Sequence, residues 1–506
     1  MIGAAQRLQF AARPVVRPIT MPPPIKGWNT RDSLDGMDPL NAVTLDNWFI
    51  DGAGLKSRGG CSSFATGLGA GAVETLAEYY SGATRKLLGA CSGSIFDVSA
   101  GGAIGAALGS GFGSNRWQHV MFNTRLFLVN GTDAGQTFDG AALGATGFTG
   151  PSSPLVGIAV FKNRIYAWEK QANQFWYGGL NLITGAMTSF PLATVTDSGG
   201  NITLITTMSH DGGDGVQDYL CIFMSSGETV FYQGTDPSSA TTFALAGRYH
   251  IAAPVNVRAV CRYGADAYVT TYDDHVQLSQ ALAALRQGTR PPKSEASGAV
   301  VDAAASGGAA LFGWQAIYYR QGNRILFNVP NSNGTFYQHV YSVQAQAWSR
   351  FTGMNASSWS LFGEALYYGG AGGTVYLADT GATDVGNSIA VDATQAWNSL
   401  RMPQRKRITA VRALVVTSQP TSIAVGLGYD FGDINVPVVI ATAPASSLWD
   451  VSPWDTSLWS TEQAVDTRWR AAGGSGIEVA VRVRASVKEE IQWISTQYRV
   501  EPGSAL

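Results

Sequence analysis

The residue types that most often carry metal and redox chemistry, cysteine and histidine, are scattered along this 506-residue chain. The cysteines lie at least 30 residues apart, without a C-x-x-C or comparable metal spacing: Cys61, Cys91, Cys221 and Cys261. The histidines form neither an H-x-H nor an H-E-x-x-H element: His119, His210, His250, His275 and His339. We therefore expect no metal site and no cofactor, and we interpret the cysteines as buried free thiols.

Acid–base and nucleophilic chemistry has equally little support in the sequence. The adjacent acids Asp273–Asp274 and Glu489–Glu490 would point to opposite faces of a strand, so neither pair could flank one bond. A nucleophile elbow G-x-S-x-G and a phosphate loop GxxxxGK[ST] are both absent. These observations predict a protein that is not an enzyme.

The segment Gly131 to Phe138, GTDAGQTF, nearly matches the Asp-box hairpin S-x-D-x-G-x-T-W of sialidase propellers. Asp133, Gly135 and Thr137 are in register, whereas glycine stands at the serine position and no second copy occurs. In such a box the carboxylate satisfies backbone amides, so the motif indicates a turn more than catalysis. A glycosidase or lectin that binds surface glycans is the alternative function, although no arginine cluster or Tyr/Glu pair is identified.

Two further clusters could bind a partner. One is a basic run without acids, which could contact an adaptor protein or DNA phosphates, or form a solvated rim: Arg401, Arg405, Lys406, Arg407 and Arg412. The other is a set of tryptophans five residues apart, a spacing that fits neither one helix face nor one strand face: Trp449, Trp454 and Trp459. We expect these tryptophans to serve subunit or loop packing, with a sugar-binding shelf as the alternative.

The composition narrows the class of protein. Charged residues make up only 14% of the chain, against roughly 25% in an average soluble protein, and the formal net charge is -2. Glycine is abundant, with 60 residues, which indicates many tight turns. No apolar stretch reaches the roughly 20 residues of a membrane-spanning helix, and the N-terminal arginines argue against a secretory signal.

The elements that must position these residues are mostly short strands. Seven similar units, each a strand, a polar turn and a second strand, begin at intervals of 39 to 58 residues, at Leu87, Leu126, Ile165, Leu220, Ala267, Ile325 and Leu366. Such a period predicts an all-β fold with a β-propeller-like domain of six or seven blades over residues 85–380. Hairpins of ordinary sandwiches are the alternative. Residues 281–312, partly rich in Ala, Gly and Ser, are predicted to form a loop-like, mobile insertion after a short helical start.

The flanking regions differ from the repeats. Residues 1–31 are basic and proline-rich and predict an extended arm that lies across another surface, or else a solvated leader. In residues 32–84, the N-terminal part of a platform, Asp38 and Pro39 predict the start of a helix of about ten residues. Residues 381–506 predict a C-terminal β-sandwich-like domain, with a bulge in the last strand.

Both ends of the chain resemble a known family. The pattern M-x-P-x-x-A-x-x-L-x-N followed by G-x-L-x-x-R-x-G is similar to the start of tail nozzle proteins of short-tailed, podovirus-type phages, also called tail tubular or packaged-DNA stabilisation proteins. It is carried here by Met37, Pro39, Ala42, Leu45, Asn47, Gly54, Leu55, Arg58 and Gly60. The C-terminal order RKRI, YDFG, WDTSLW and a valine-rich strand resembles the same family.

The resemblance implies a structural virion protein in the phage tail, made in the host cytoplasm. It implies a homohexamer below the portal and adaptor rings, in which the two chain ends form a β-sandwich-like platform and a propeller is inserted between them. The ring would close the head–tail connector, retain packaged DNA and conduct double-stranded DNA non-specifically during ejection. Tail fibres or a spike are further expected partners, and residues 281–312 would then gate the channel.

Overall fold

The computed structural model describes residues 17–51, 54–211, 216–417, 423–436 and 464–502. Within these ranges the protein is all-β, and it consists of a β-propeller inserted between the two halves of a platform. The predicted fold class is therefore confirmed. In the described part of the chain, no helix has both the length and the apolar character needed to span a membrane.

The propeller contains six four-stranded blades and one smaller three-stranded sheet, all antiparallel, around a common axis. The strands are given from the innermost outwards. Blade 1 consists of Thr75–Ser81, Thr84–Cys91, Ser94–Asp97 and Gly109–Ser110, and blade 2 consists of Gln118–Phe122, Arg125–Val129, Gln136–Phe138 and Leu143–Ala145. Blade 3 consists of Leu155–Phe161, Arg164–Glu169, Gln174–Tyr177 and Thr188–Pro191. Blade 4 is Ile202–Asp211, Val216–Met224, Glu228–Gly234 and Phe243–His250, and the three-stranded sheet is Val260–Tyr263, Asp266–Thr270 and His275–Gln277. Blade 5 consists of Gln315–Tyr319, Arg324–Pro330, Phe336–Ser342 and Ala347–Phe351. Blade 6 consists of Ser358–Phe362, Ala365–Gly369, Val375–Ala378 and Cys61–Thr66.

Each of the seven units found in the sequence supplies the second and third strands of one of these sheets. The unit from Leu126, for example, forms Arg125–Val129 and Gln136–Phe138 of blade 2. Apolar side chains pack between neighbouring blades, as Tyr166 and Phe175 of blade 3 do against Leu220 of blade 4. A single blade could not bury both its faces, so the repeat is stable only as a closed ring.

The ring is closed by a strand from the beginning of the chain. Cys61–Thr66 pairs antiparallel with Val375–Ala378 and completes blade 6. The propeller therefore begins before residue 85, the boundary predicted from the sequence, because Cys61–Thr66 and Thr75–Ser81 both belong to it. A short parallel pairing with Gly102–Ala103 extends this sheet, and Phe148–Thr149 pairs with Gly185–Ala186 between blades 2 and 3.

Residues 281–312 are helical over much of their length and pack against the fold, so the prediction of a loop-like projection was wrong. Helix α1, Leu278–Arg286, buries Leu278 and Leu282 in the core shared by blade 4 and the three-stranded sheet. Helix α2, Ser297–Ala305, buries Val300 and Ala303, and a one-turn helix follows at Gly308–Ala310. The Ala/Gly/Ser composition therefore reflects close packing. At Gly298, for example, a Cβ would lie only 2.2 Å from the Thr30 carbonyl oxygen.

The platform consists of two sheets that enclose a common apolar core, and both contain strands from both chain ends. One sheet contains Arg17–Met21, Trp48–Asp51, Gly54–Ser57, Lys406–Thr417, Ala464–Asp466, Arg470–Ala471, Ser475–Gly476 and Ile491–Pro502. The other contains Gly27–Trp28, Asn41–Asp46, Ile389–Gln395, Ile423–Tyr429 and Val479–Val487, and it continues directly into blade 5. Platform and propeller are therefore joined by a continuous hydrogen-bonded sheet.

Three predictions for the platform have clear outcomes. The helix expected after Asp38 was wrong, because this segment forms the strand Asn41–Asp46 between two platform neighbours, and tertiary pairing overrides the local start signals. Asp38 instead accepts the Leu40 amide within a turn. The bulge in the last strand is confirmed, since its register with Lys406–Thr417 shifts between Leu414 and Val415. Of the basic arm, Arg17–Met21 forms an edge strand on the last strand.

Candidate functional site

The propeller axis contains a cavity of about 240 Å3 to which every sheet contributes. Its wall contains residues from the innermost strand of each blade and of the three-stranded sheet, together with Val257 and Arg258 from the preceding segment. The polar side chains that line it are Thr75, Gln118, His119, Arg258, Gln315 and Ser358. Several are already engaged, since Gln315 bonds both the Trp359 amide and the Trp359 carbonyl.

Arg258 is the cation in this wall. Its Nη1 donates to the Glu74 carbonyl at 2.7 Å, and its Nη2 donates to Thr75 Oγ1 at 2.6 Å and to the Trp117 carbonyl at 2.7 Å. All three acceptors are neutral. Burial lowers the pKa of Arg258 to about 10, and the nearby Glu74 and Arg116 shift it in opposite directions. Arg258 is therefore charged at neutral pH.

His119 lies on the same wall, in the innermost strand of blade 2. Desolvation by the surrounding blades, with a smaller contribution from the Arg258 cation, lowers the pKa of His119 to about 4. The residue nevertheless keeps accessible surface, and it lines the cavity. At neutral pH the imidazole is uncharged and can both donate and accept a hydrogen bond.

The N-terminal motif residues form the junction between platform and propeller. Arg58 is 2% exposed and lies between the strand Gly54–Ser57 and the ring-closing strand. Its guanidinium makes a bidentate pair with Asp384, at 2.9 and 2.6 Å, and its Nε donates to Asn47 Oδ1 at 2.8 Å. Asn47 in turn donates to Thr352 Oγ1 and to the Ala390 carbonyl. The network therefore connects both chain ends to blades 5 and 6.

The remaining motif residues lie nearby or in an adjacent groove. Gly60 has the Thr383 carbonyl only 2.1 Å from where a Cβ would be, so glycine is required there. Gly54 pairs with Asp51 in the turn between two platform strands. Met37 and Pro39 line a groove of about 660 Å3 on the platform, and Arg401 lies on the same groove.

The five basic residues of the predicted contact run do not form one patch. Arg401, Arg405 and Arg407 are exposed, with Arg405 3.5 Å from Asp430. Arg412 packs over the Trp469 ring, which Arg499 also contacts. Lys406 is fully buried, and its amine bonds the Ile477 carbonyl, because alternate residues of Lys406–Thr417 face the core. Lys406 is therefore inaccessible to an adaptor ring or to DNA, and the prediction was wrong for this residue.

Trp449, Trp454 and Trp459 lie outside the described residues. The cysteines are buried and free, as the sequence predicted. Within the described ranges, no three His, Cys, Asp or Glu side chains are grouped so that they could hold a metal ion. Two histidines form a buried pair, with His275 Nε2 2.9 Å from His339 Nδ1.

The Asp-box resemblance has a structural basis. The Asp133 carboxylate accepts the Gly113 amide at 2.9 Å, the Ser114 amide at 3.2 Å and the Asn130 side-chain amide at 2.6 Å. It thereby connects the turn of blade 2 to the segment that leaves blade 1. This is the amide-satisfying role expected from the motif.

Replacing Asp133 by alanine should lower the free energy of unfolding by about 1–3 kcal/mol, because partly buried amide donors lose their acceptor. The midpoint of urea unfolding measures the change. Thr132→Ala, at an exposed neighbouring side chain, is the matched control and should remain close to wild type. A folded Asp133→Ala protein of unchanged stability that had lost a glycan-binding activity of the wild type would contradict this structural role.

Sequence reasoning missed the cavity residues Arg258, Gln118 and His119. The seven units identified the second and third strands of each sheet, whereas the cavity is lined mainly by the first strands, which are less regular. Arg258 precedes a strand and belongs to no motif. Only the closure of the ring brings it within reach of Glu74, Thr75 and Trp117.

Comparison with known proteins gives resemblance of fold only. No family model matches the chain, and no curated protein matches it. Among solved structures, it is similar to the computationally designed Ika8 protein, with 9% identity over 63% of this chain and 99% of that chain and a TM-score of 0.36. It is also similar to the WD40 β-propeller domain of Doa1, with 9% identity, a TM-score of 0.40, and coverage of 63% of this chain and 97% of that chain. It is similar as well to BBS1N in complex with ARL6DN, with 10% identity, a TM-score of 0.40, and coverage of 64% of this chain and 97% of that chain.

Proposed function

We propose that the chain is a structural protein of the phage virion, a tail nozzle that closes the portal–adaptor channel, retains packaged DNA and conducts it during ejection. It acts as a homohexameric ring and performs no chemical step. Its partners are the portal–adaptor complex, the genomic double-stranded DNA that passes through the ring, and tail fibres or a spike below it.

The observation that carries this proposal is the architecture. Strands from both chain ends form one platform, and the propeller is an insertion between them, as the resemblance of the two ends to nozzle proteins implies. The motif residues Asn47, Arg58 and Gly60 lie at the point where the two parts meet. A motif at this junction supports a rigid connection, which a ring subunit that holds packaged DNA under pressure requires.

The DNA passage must lie between copies of the chain. The propeller cavity has a volume of only about 240 Å3, whereas the major groove of B-DNA alone is about 12 Å wide, so the cavity is far too small for a duplex. Duplex DNA therefore does not pass along the propeller axis. A closed ring formed through heterologous contacts provides a wider channel, and low surface charge suits both subunit packing and sliding of DNA.

A propeller glycosidase or lectin is the less favoured alternative. The lining of the axial cavity includes one arginine among the described residues, not the cluster that a sialidase uses for its substrate carboxylate. Asp133 is occupied by backbone and side-chain amides. The alternative therefore lacks a specific site.

A particle assay tests the function. Virions assembled without the protein should lose their genome, measured as the fraction of DNA that a nuclease degrades in intact particles, and purified protein added during assembly should restore protection. Particles that lack the protein but retain their DNA as well as complete virions would contradict the proposal.

Contact with the adaptor ring is proposed for the exposed basic residues of the platform. A triple Arg→Gln variant at 401, 405 and 407 should bind a portal–adaptor complex at least tenfold more weakly than wild type in a sedimentation or surface-binding assay. The matched control is a triple Arg→Gln variant at exposed propeller positions: Arg85, Arg262 and Arg320. Equal weakening of both variants would show that only net charge matters and would exclude the proposed contact.

A further inference from the structure

The axial cavity contains a positive charge that is not balanced by a neighbouring acid. Arg258 donates only to neutral acceptors, and no carboxylate of the described residues lies within ion-pair distance of it. The nearest acid, Glu74, is already paired with Arg116, whose Nε is 3.1 Å from Glu74 Oε1. Glu74 and Arg116 neutralise each other and do not line the cavity, so Arg258 is the charged residue of its described lining.

Arg258 is partly buried, and a cation that is partly withdrawn from water gains from a neighbouring negative charge. The Phe312 ring compensates in part, with the Arg116 and Arg258 guanidinium carbons 4.3 and 5.1 Å from its centroid. A ring quadrupole does not replace a counter-ion. A small anion in the cavity would supply the missing negative charge at the position where the guanidinium meets the cavity.

Two neighbouring side chains have hydrogen-bonding groups that no described residue uses. Gln118 and His119 are adjacent in the innermost strand of blade 2 and both line the cavity, and neither makes a side-chain hydrogen bond within the described part of the chain. Adjacent residues of a strand face opposite sides, and the charge of Arg258 acts on the His119 ring. The neutral His119 ring can donate to an oxygen, and together with Arg258 it offers donors of the kind that an oxyanion accepts.

The size of the cavity limits the ligand. Its volume of about 240 Å3 lies below the roughly 300–1,000 Å3 of pockets for drug-sized molecules. It is ample for water molecules and for a small ion. The cavity therefore suits a small ion better than an oligosaccharide or a nucleotide.

We propose that the propeller axis is a binding site for a small oxyanion, a phosphate or a carboxylate, with Arg258 as its charge partner and His119 as a hydrogen-bond donor. The site is independent of the nozzle function, since it depends on the closed propeller alone. Its occupant compensates the Arg258 charge and connects the innermost strands across the axis.

Calorimetric titration of the purified full chain tests this site, with inorganic phosphate in one experiment and acetate in another, at constant ionic strength maintained with chloride. Saturable binding of at least one probe is expected, and the comparison distinguishes a phosphate site from a carboxylate site. Arg258→Gln should weaken binding at least tenfold. Arg85→Gln, at an exposed arginine of blade 1, is the control and should bind like wild type.

The outcomes are decisive even if Arg258→Gln does not fold. Crystals of the wild-type protein soaked in selenate, a phosphate-sized oxyanion, should show an anomalous peak within hydrogen-bond distance of the Arg258 guanidinium. Absence of saturable binding of both probes together with an empty cavity in the soaked crystals would overturn the proposal. A folded Arg258→Gln protein that binds as tightly as wild type would also overturn it.

Discussion

Replacing Arg58 by alanine should destabilise the protein by about 3–5 kcal/mol, because the change removes one partner of a buried ion pair. The Arg58 side chain is 1% exposed and that of Asp384 19%, so the remaining carboxylate would be left largely desolvated. Asn47 Oδ1 and the Thr352 carbonyl would lose a donor as well. Since these groups come from both chain ends and from the end of blade 5, platform and propeller should lose stability together.

Urea unfolding followed by tryptophan fluorescence measures this loss. Arg85→Ala is the control, because the Arg85 side chain is exposed and its ion pair with Glu78 is long, with 3.8 Å between Nη1 and Oε1. The control should change the free energy of unfolding by less than about 1 kcal/mol. Arg58→Lys keeps the charge but not the bidentate geometry and should fall between the two. An Arg58→Ala protein as stable as the Arg85→Ala control would contradict the role assigned to the junction.

Lowering the pH from 7 to 4 should destabilise the protein strongly through its buried histidines. Burial lowers the pKa of His339 to about 3, with a smaller contribution from the Arg350 cation. Burial and the facing His339 ring hold the pKa of His275 well below its ordinary value. Because the unfolded chain takes up these protons near pH 6.5 and the folded chain does not, stability is complete above that pH and falls as the pH drops.

The expected loss is about 3 kcal/mol at pH 4 for His339 alone. His119 contributes with the same sign. Burial raises the pKa of the Asp274 carboxyl, so the folded chain takes up this proton more readily than the unfolded chain. Protonation of Asp274 therefore increases the free energy of unfolding as the pH falls, opposite to the effect of the histidines. The window from pH 6.5 to 5 therefore isolates the histidines best.

Unfolding free energies measured across this window test the assignment. A His275→Phe, His339→Leu double variant should lose most of the pH dependence, because both buried imidazoles are removed. His250→Gln, at an exposed position, should retain the wild-type slope. A double variant whose stability depends on pH as steeply as that of the wild type would show that other groups cause the effect.

The sequence predicted those features that depend on local pattern. The seven units could be found because each hairpin carries its apolar alternation and turn within about 15 residues. The strand Val479–Val487 followed from its alternating valines in the same way. The strand Asn41–Asp46 could not be predicted in this way, since Asp38 and Pro39 are equally compatible with the start of a helix. It forms a strand because it pairs with Ile389–Gln395.

The site could be predicted only in part, because its residues meet through ring closure. Arg58 was identified from a motif, but its partner Asp384 lies more than 300 residues away and in no motif. Lys406 was grouped with its basic neighbours, although strand alternation directs its side chain into the core. Arg258 gave no signal, because its charge becomes significant only when three segments enclose it.

The central claim, a six-copy ring that docks below the portal, is tested most directly by the mass of the purified protein, alone and mixed with a portal–adaptor complex. Mass photometry should show either a species of six 53.4 kDa chains or six copies added to the complex. A protein that remains a monomer under both conditions would contradict the nozzle assignment.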